Sequence, residues 1–95
     1  MSSESLVMLN SSENMKCFEN LNLEGVDYSY QNFKGVCFKG ANLINCNFQC
    51  AIFEEANLSG ANFYCANLKY TNFKNANLSN CSMFKADLTG ANLSG

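Results

Sequence analysis

Residues 56–70 read Ala56-Asn57-Leu58-Ser59-Gly60, Ala61-Asn62-Phe63-Tyr64-Cys65, Ala66-Asn67-Leu68-Lys69-Tyr70. Three consecutive pentapeptides open on Ala-Asn and carry Leu or Phe third. The phase extends both ways. Toward the C-terminus the central residues are Phe73, Leu78, Met83, Leu88 and Leu93; toward the N-terminus they are Phe53, Phe48, Leu43, Phe38, Phe33, Tyr28, Leu23 and Phe18. Two positions before the centre stands a small residue, as in Ala41, Cys46, Ala51, Thr71, Ala76, Cys81, Ala86 and Ala91. The position between is usually Asn or Asp.

A period of five fits neither the 3.6-residue repeat of a helix nor the alternation of a long strand. Inside one unit, however, the small residue and the centre are two apart, so both face one side of a short extended segment while Asn faces the other. The fifth position is rich in residues that tolerate positive φ: Gly25, Gly35, Gly40, Gly60 and Gly90, with Asn20, Asn45, Asn75 and Asn80. A corner every five residues follows. Four sides close a square in 20 residues, and residues 20 apart then stack at the ~4.8 Å spacing of neighbouring strands. Phe33, Phe53, Phe73 and Leu93 form one inward column, and Phe18, Phe38, Leu58 and Leu78 another.

This pattern resembles the pentapeptide-repeat family, over all but about the first fifteen residues. The resemblance implies an all-β solenoid, a right-handed quadrilateral parallel β-helix with the centre and the small residue packed inside. Residues 16–95 are enough for about four coils and a rod roughly 19 Å tall. Residues 1–15, with the apolar run Leu6-Val7-Met8-Leu9, are expected to be an N-terminal cap or an unstructured segment. The first coil departs from the pattern, with Leu21, Val26, Gln31 and Val36 where later coils carry mostly Ala, as terminal repeats often do.

Composition bears on function. The chain has no Pro, Trp, His or Arg and a net charge of −2. Without a positive field or a guanidinium, direct nucleic-acid binding is not expected. Without His, the commonest catalytic base and metal ligand is missing, and a narrow, filled β-helix leaves no room for an active site, so no enzyme and no cofactor are expected. The N-terminus carries no charged segment followed by a long apolar core, and no stretch approaches the ~20 apolar residues of a membrane span. A cytosolic setting with reduced thiols is the expectation.

The cysteines divide by phase. Cys46 and Cys50 share the spacing of a zinc half-site, but Cys46 replaces an inward Ala while Cys50 falls on an outward corner, so no metal site is expected. Cys46 and Cys81 read as small core residues. Cys17 and Cys37 stack on the outer surface; parallel side chains ~4.8 Å apart exceed the ~3.8 Å mean Cβ separation of real bridges, which makes free thiols the expected state. The Asn columns are expected to hydrogen-bond along the rod as amide ladders.

The position after the centre is free of packing duty, and its columns differ. Three are polar: Ser29-Gln49-Lys69-Thr89, Lys34-Glu54-Lys74-Ser94 and Glu19-Lys39-Ser59-Ser79. The fourth runs Glu24, Ile44, Tyr64, Phe84. Tyr30, Cys50 and Tyr70 stack at the corner of the next side. Ile44, Tyr64, Phe84, Tyr30 and Tyr70 therefore form the candidate protein-interaction face, with cross-strand stabilisation as the competing reading. Leu78, Met83, Leu88 and Leu93 in the last coil form a candidate self-association end through which a homodimer would form. Some members of the family mimic DNA and modulate type II topoisomerases such as gyrase. That use needs acidic columns, whereas here Glu54 lies between Lys34 and Lys74, and Asn47 and Asn67 separate Asp27 from Asp87.

Overall fold

The computed structural model describes residues 17–95, so the cap expected over residues 1–15 lies outside the described residues. The chain pairs with itself at a constant offset of 20 residues. Cys17 with Cys37, Asn22 with Asn42, Asp27 with Asn47 and Asn32 with Ile52 open a series of parallel bridges that runs to Asn72 with Asn92. Each bridge residue is the one before a centre, one per pentapeptide, so every coil has four sides. We refer to residues 17–36, 37–56, 57–76 and 77–95 as the first, second, third and last coils.

The corners explain the period. From Leu23 to Leu88 the carbonyl of each centre accepts the N–H three residues on, as Phe53 O does from Ala56 and Leu58 O from Ala61, both at 3.0 Å. Closing such a turn with φ positive at its third residue is the geometry of a type II turn. Every fifth residue from Asn20 to Gly95 has positive φ, including Tyr30, Cys50, Glu55, Cys65, Tyr70 and Lys85, where the sequence alone offered no glycine or asparagine. For such residues the left-handed region costs about 1–2 kcal/mol each. The turn bond and the ladders on either side hold them there.

Asn at the bridge position has a local task that outweighs the expected ladder. Its Oδ1 accepts the N–H two residues on, from Ser59 to Asn57 at 3.1 Å and from Tyr64 to Asn62 at 3.0 Å, an Asx turn leading into the corner. Amide-to-amide rungs join Asn42 to Asn22 at 3.1 Å and Asn92 to Asn72 at 3.4 Å. The ladder reading therefore holds for these pairs and is secondary elsewhere.

Between coils the hydrogen bonds are unequal. Two N–H groups per side, from the centre and the corner, donate to the following coil: Phe53 to Asn72 O at 2.7 Å and Glu55 to Lys74 O at 2.9 Å. One returns per side, as Asn72 N–H donates to Ala51 O at 3.0 Å.

Inside, the centres and small residues fill the lumen. Phe33, Phe38, Phe48, Phe53, Leu58, Phe63 and Leu68 are fully buried. Phe33, Phe53 and Phe73 stack along the axis with centroids 5.2 and 5.6 Å apart and nearly parallel rings, while neighbouring columns meet edge to face, as Phe48 meets Phe53 at 5.0 Å. Such pairs add about 0.5–1.5 kcal/mol beyond area burial. Polar variants of the small residue have a partner: Cys46 Sγ donates to Leu23 O at 3.0 Å, Cys81 Sγ to Leu58 O at 2.9 Å and Thr71 Oγ1 to Phe48 O at 2.8 Å. In each case the acceptor is the centre carbonyl 23 residues earlier. Burial pushes both thiols above their ordinary pKa.

The first coil breaks these rules. Tyr28 is fully buried, yet its hydroxyl and Gln31 Oε1 have no hydrogen-bond partner among the described residues. Desolvation, with a smaller contribution from Cys46, pushes the Tyr28 phenol up to about 12. The expectation of free thiols at Cys17 and Cys37 is also overturned, because the two form a disulfide with Cα atoms 4.5 Å apart. That separation lies inside the range natural bridges span. The expectation rested on a uniform ~4.8 Å strand spacing, whereas the two Cα atoms stand closer than that.

Phe53 touches the coils above and below it through the ring stack. Phe53→Ala is expected to lower the unfolding free energy by about 3–5 kcal/mol in urea titration, and Leu93→Ala, at the half-exposed end of the same column, by much less.

Candidate interaction surface

The corner geometry sends the residue after each centre outward, and on one side this produces the aromatic column. Tyr64 and Phe84 are 37% and 65% exposed, with rings stacked at 5.9 Å and an interplanar angle of 22°. Ile44, one coil earlier, is half-buried, and Glu24 at the head of the column is exposed. Lys85 Nζ lies 5.7 Å from the Phe84 ring centroid, a cation–π contact absent from the sequence reading. Tyr64 hydrogen-bonds with the exposed Cys65, which raises its phenol pKa.

Tyr30 and Tyr70 project from the corner of the next side and are 72% and 57% exposed. Gly90, one coil beyond Tyr70, leaves room for the Tyr70 ring, which occupies the space a Cβ would need. Among the described residues no ring contact joins Tyr30 or Tyr70 to Tyr64 or Phe84. The structure thus sets the five candidate residues on two edges of one side of the rod and brings only Tyr64 and Phe84 into ring contact.

The strip between those edges is polar. Asp27 and Asp87 cap the N–H of Ser29 and Thr89, each at 3.0 Å, and Asp87 also accepts the Thr89 hydroxyl at 2.6 Å. The Ser29 backbone N–H, followed by its hydroxyl, holds Asp27 below the usual carboxylate pKa; for Asp87 the Thr89 hydroxyl leads. Lys69 Nζ pairs with Asp87 at 3.7 Å, and Asn67 Nδ2 donates to Gln49 at 3.4 Å. On a third side Lys34 bridges Glu54 and Glu55 at 3.8 and 3.7 Å.

The end of the last coil is the second candidate. Leu78, Met83 and Leu88 are only partly buried and Leu93 is 51% exposed, whereas the centres Leu23, Tyr28 and Phe33 of the first coil are buried. Cys46 and Cys50 fall where the phase puts them, one inside the lumen and the other on a corner at positive φ.

The model of the family described as pentapeptide repeats (8 copies) matches residues 32–63 and 61–95. The chain belongs to the pentapeptide-repeat family. Among solved structures, this pentapeptide-repeat chain is similar to a pentapeptide repeat protein from the thylakoid lumen of Arabidopsis thaliana, at 30% identity with a TM-score of 0.66. That alignment covers 80% of this chain and 56% of the other. Rfr23, a pentapeptide repeat protein from the cyanobacterium Cyanothece 51142, aligns at 22% identity with a TM-score of 0.49, over 78% of this chain and 61% of that one. The chain therefore spans less than two thirds of the length of either protein. No curated protein matches it.

Both carboxyl caps predict a pH response. A depressed carboxylate stabilises the fold above its unfolded pKa, and the contribution is lost as pH falls through the folded value. NMR titration is expected to place Asp27 and Asp87 below the ordinary 3.8, and Thr89→Ala is expected to raise the Asp87 midpoint while leaving Asp27 in place.

Proposed function

We propose that this chain is a non-catalytic protein-interaction module, a right-handed solenoid of about four coils that offers the flank bearing Ile44, Tyr64 and Phe84, edged by Tyr30 and Tyr70, to a protein partner. The observation that carries the reading is the exposed Tyr64–Phe84 stack on a rod whose other columns at the position after the centre are polar. Aromatic side chains of this kind, set in a polar surround, supply the anchors of protein interfaces. A merely stabilising role for the stack would not require the outer faces of both rings to stay exposed. The absence of His from the sequence supports the non-catalytic part.

The exposure of the last coil supports a second contact within the same reading, a homodimer held by Leu78, Met83, Leu88 and Leu93. Sedimentation equilibrium on the intact chain and on Leu93→Lys with Met83→Lys is expected to give a dimer and a monomer respectively; monomers for both would remove this contact. Gyrase modulation by DNA mimicry finds less support, because Lys34 and Lys69 sit against the acidic groups that such a surface would need unpaired. An unchanged rate in a gyrase supercoiling assay is the expected result.

The flank itself is tested by affinity capture with quantitative mass spectrometry, comparing the wild type with Tyr64→Ser, Phe84→Ser. The double variant should keep its melting profile and lose at least ~30-fold in affinity for the captured partner, the loss typical of an interface anchor. Equal capture by both proteins would sink the proposal.

A further inference from the structure

The first coil differs from the others in three respects. Leu21, Val26, Gln31 and Val36 replace the small inward residues. Two polar atoms, Tyr28 Oη and Gln31 Oε1, are buried there with no hydrogen-bond partner among the described residues, a cost that properly paired polar groups avoid. Finally, its first residue is tied covalently to the coil that follows, through Cys17 and Cys37. In a solenoid each repeat leans mainly on its neighbours, so a coil that buries unpaired polar atoms is the unit most ready to open by itself.

We propose that the Cys17–Cys37 disulfide is a redox latch that decides whether the first coil stays docked on the second. The bridge closes a loop of 20 residues, and removing such a constraint enlarges the undocked ensemble by on the order of 100-fold. Cys17 is exposed and Cys37 half-buried, so a dithiol reductant attacks Cys17 Sγ. The S–S bond breaks, Cys37 leaves as a thiolate, and a mixed disulfide forms on Cys17. The second thiol of the reductant then displaces Cys17. The protein gains two electrons and two protons and ends with two thiols, and the reductant ends as a cyclic disulfide. In a reducing cytosol, the setting expected from the sequence, the latch rests open; in an oxidising compartment it rests closed.

The consequence reaches the surface, since Tyr30 belongs to the first coil and an undocked coil takes it off the flank. The other four cysteines, Cys46, Cys50, Cys65 and Cys81, are free, and none of them links coils covalently.

Amide hydrogen exchange on the intact chain tests the latch, in air-oxidised buffer and again with excess dithiothreitol. The N–H groups of Phe18, Asn20, Leu23 and Gly25 donate to carbonyls of the second coil and report docking directly. Their protection is expected to fall on the order of 100-fold on reduction, while Phe53, Glu55, Leu58 and Gly60 keep theirs. Cys37→Ser should show the low protection in both buffers, which separates loss of the bridge from side effects of the reductant. Thiol titration of the oxidised protein, unfolded in denaturant without reductant so that the buried Cys46 is reached, is expected to find the four free cysteines. Six reactive thiols, equal protection in the two redox states, or a uniform loss along the chain would each overturn the proposal.

Discussion

A chain that turns a corner every five residues must hold one residue in five at positive φ, and the rest of this structure depends on that repeated turn. The centre carbonyl is spent on the turn bond, so the ladder between coils uses the remaining groups. The residue before the centre becomes the bridge to the neighbouring coils. Its Asn side chain covers the N–H that the turn would leave unpaired. The centre and the small residue have no direction left but inward. Tyr70, Glu55 and Lys85 show how strong the arrangement is, since they occupy corners that their side chains disfavour and still adopt the same φ as Asn75.

Much of this is legible in the sequence because the constraint acts on every unit. Leu58, Phe63 and Leu68 announce the inward face, and Gly60 and Asn75 announce corners, so phase alone extends the pattern through Tyr70 and Lys85. What phase does not carry is local adjustment. A uniform strand spacing gives no hint that Cys17 and Cys37 are joined, because the local approach of their Cα atoms to 4.5 Å is not encoded in the repeat phase. Thr71, Cys46 and Cys81 read as small, which is right, but their donors reach carbonyls 23 residues back, a relation visible only once the coil is wound. The candidate surface divides in the same way. That Tyr64 and Phe84 share a column follows from their separation of 20; that Lys85 sits over Phe84 while Tyr70 lies along Gly90 depends on rotamers.

The division between inside and outside also separates stability from recognition. Centres and small residues answer to packing, and a change there is felt by the coils on both sides. Outward positions after the centre answer to little, so their columns can be charged, polar or aromatic on the same frame. Aromatic residues at Tyr64 and Phe84 therefore need an explanation of their own in a way that Phe63 does not. The first coil lies between the two regimes: its inward residues are bulky or polar, two of its buried atoms find no partner among the described residues, and a covalent bond supplements its ladder.

The unequal exchange of hydrogen bonds between coils gives the rod a vector. Its final edge presents two donors for each acceptor on every side, while the edge that receives it presents the reverse. Two final edges brought face to face would meet with donors in excess, and half of them would find no carbonyl. Any symmetric contact there must draw its cohesion from Leu93 and its neighbours rather than from the backbone. A coil laid on in the same sense as the others would match every group. The molecule is in this respect like a screw thread, able to be continued in one direction and closed off only by something unlike itself.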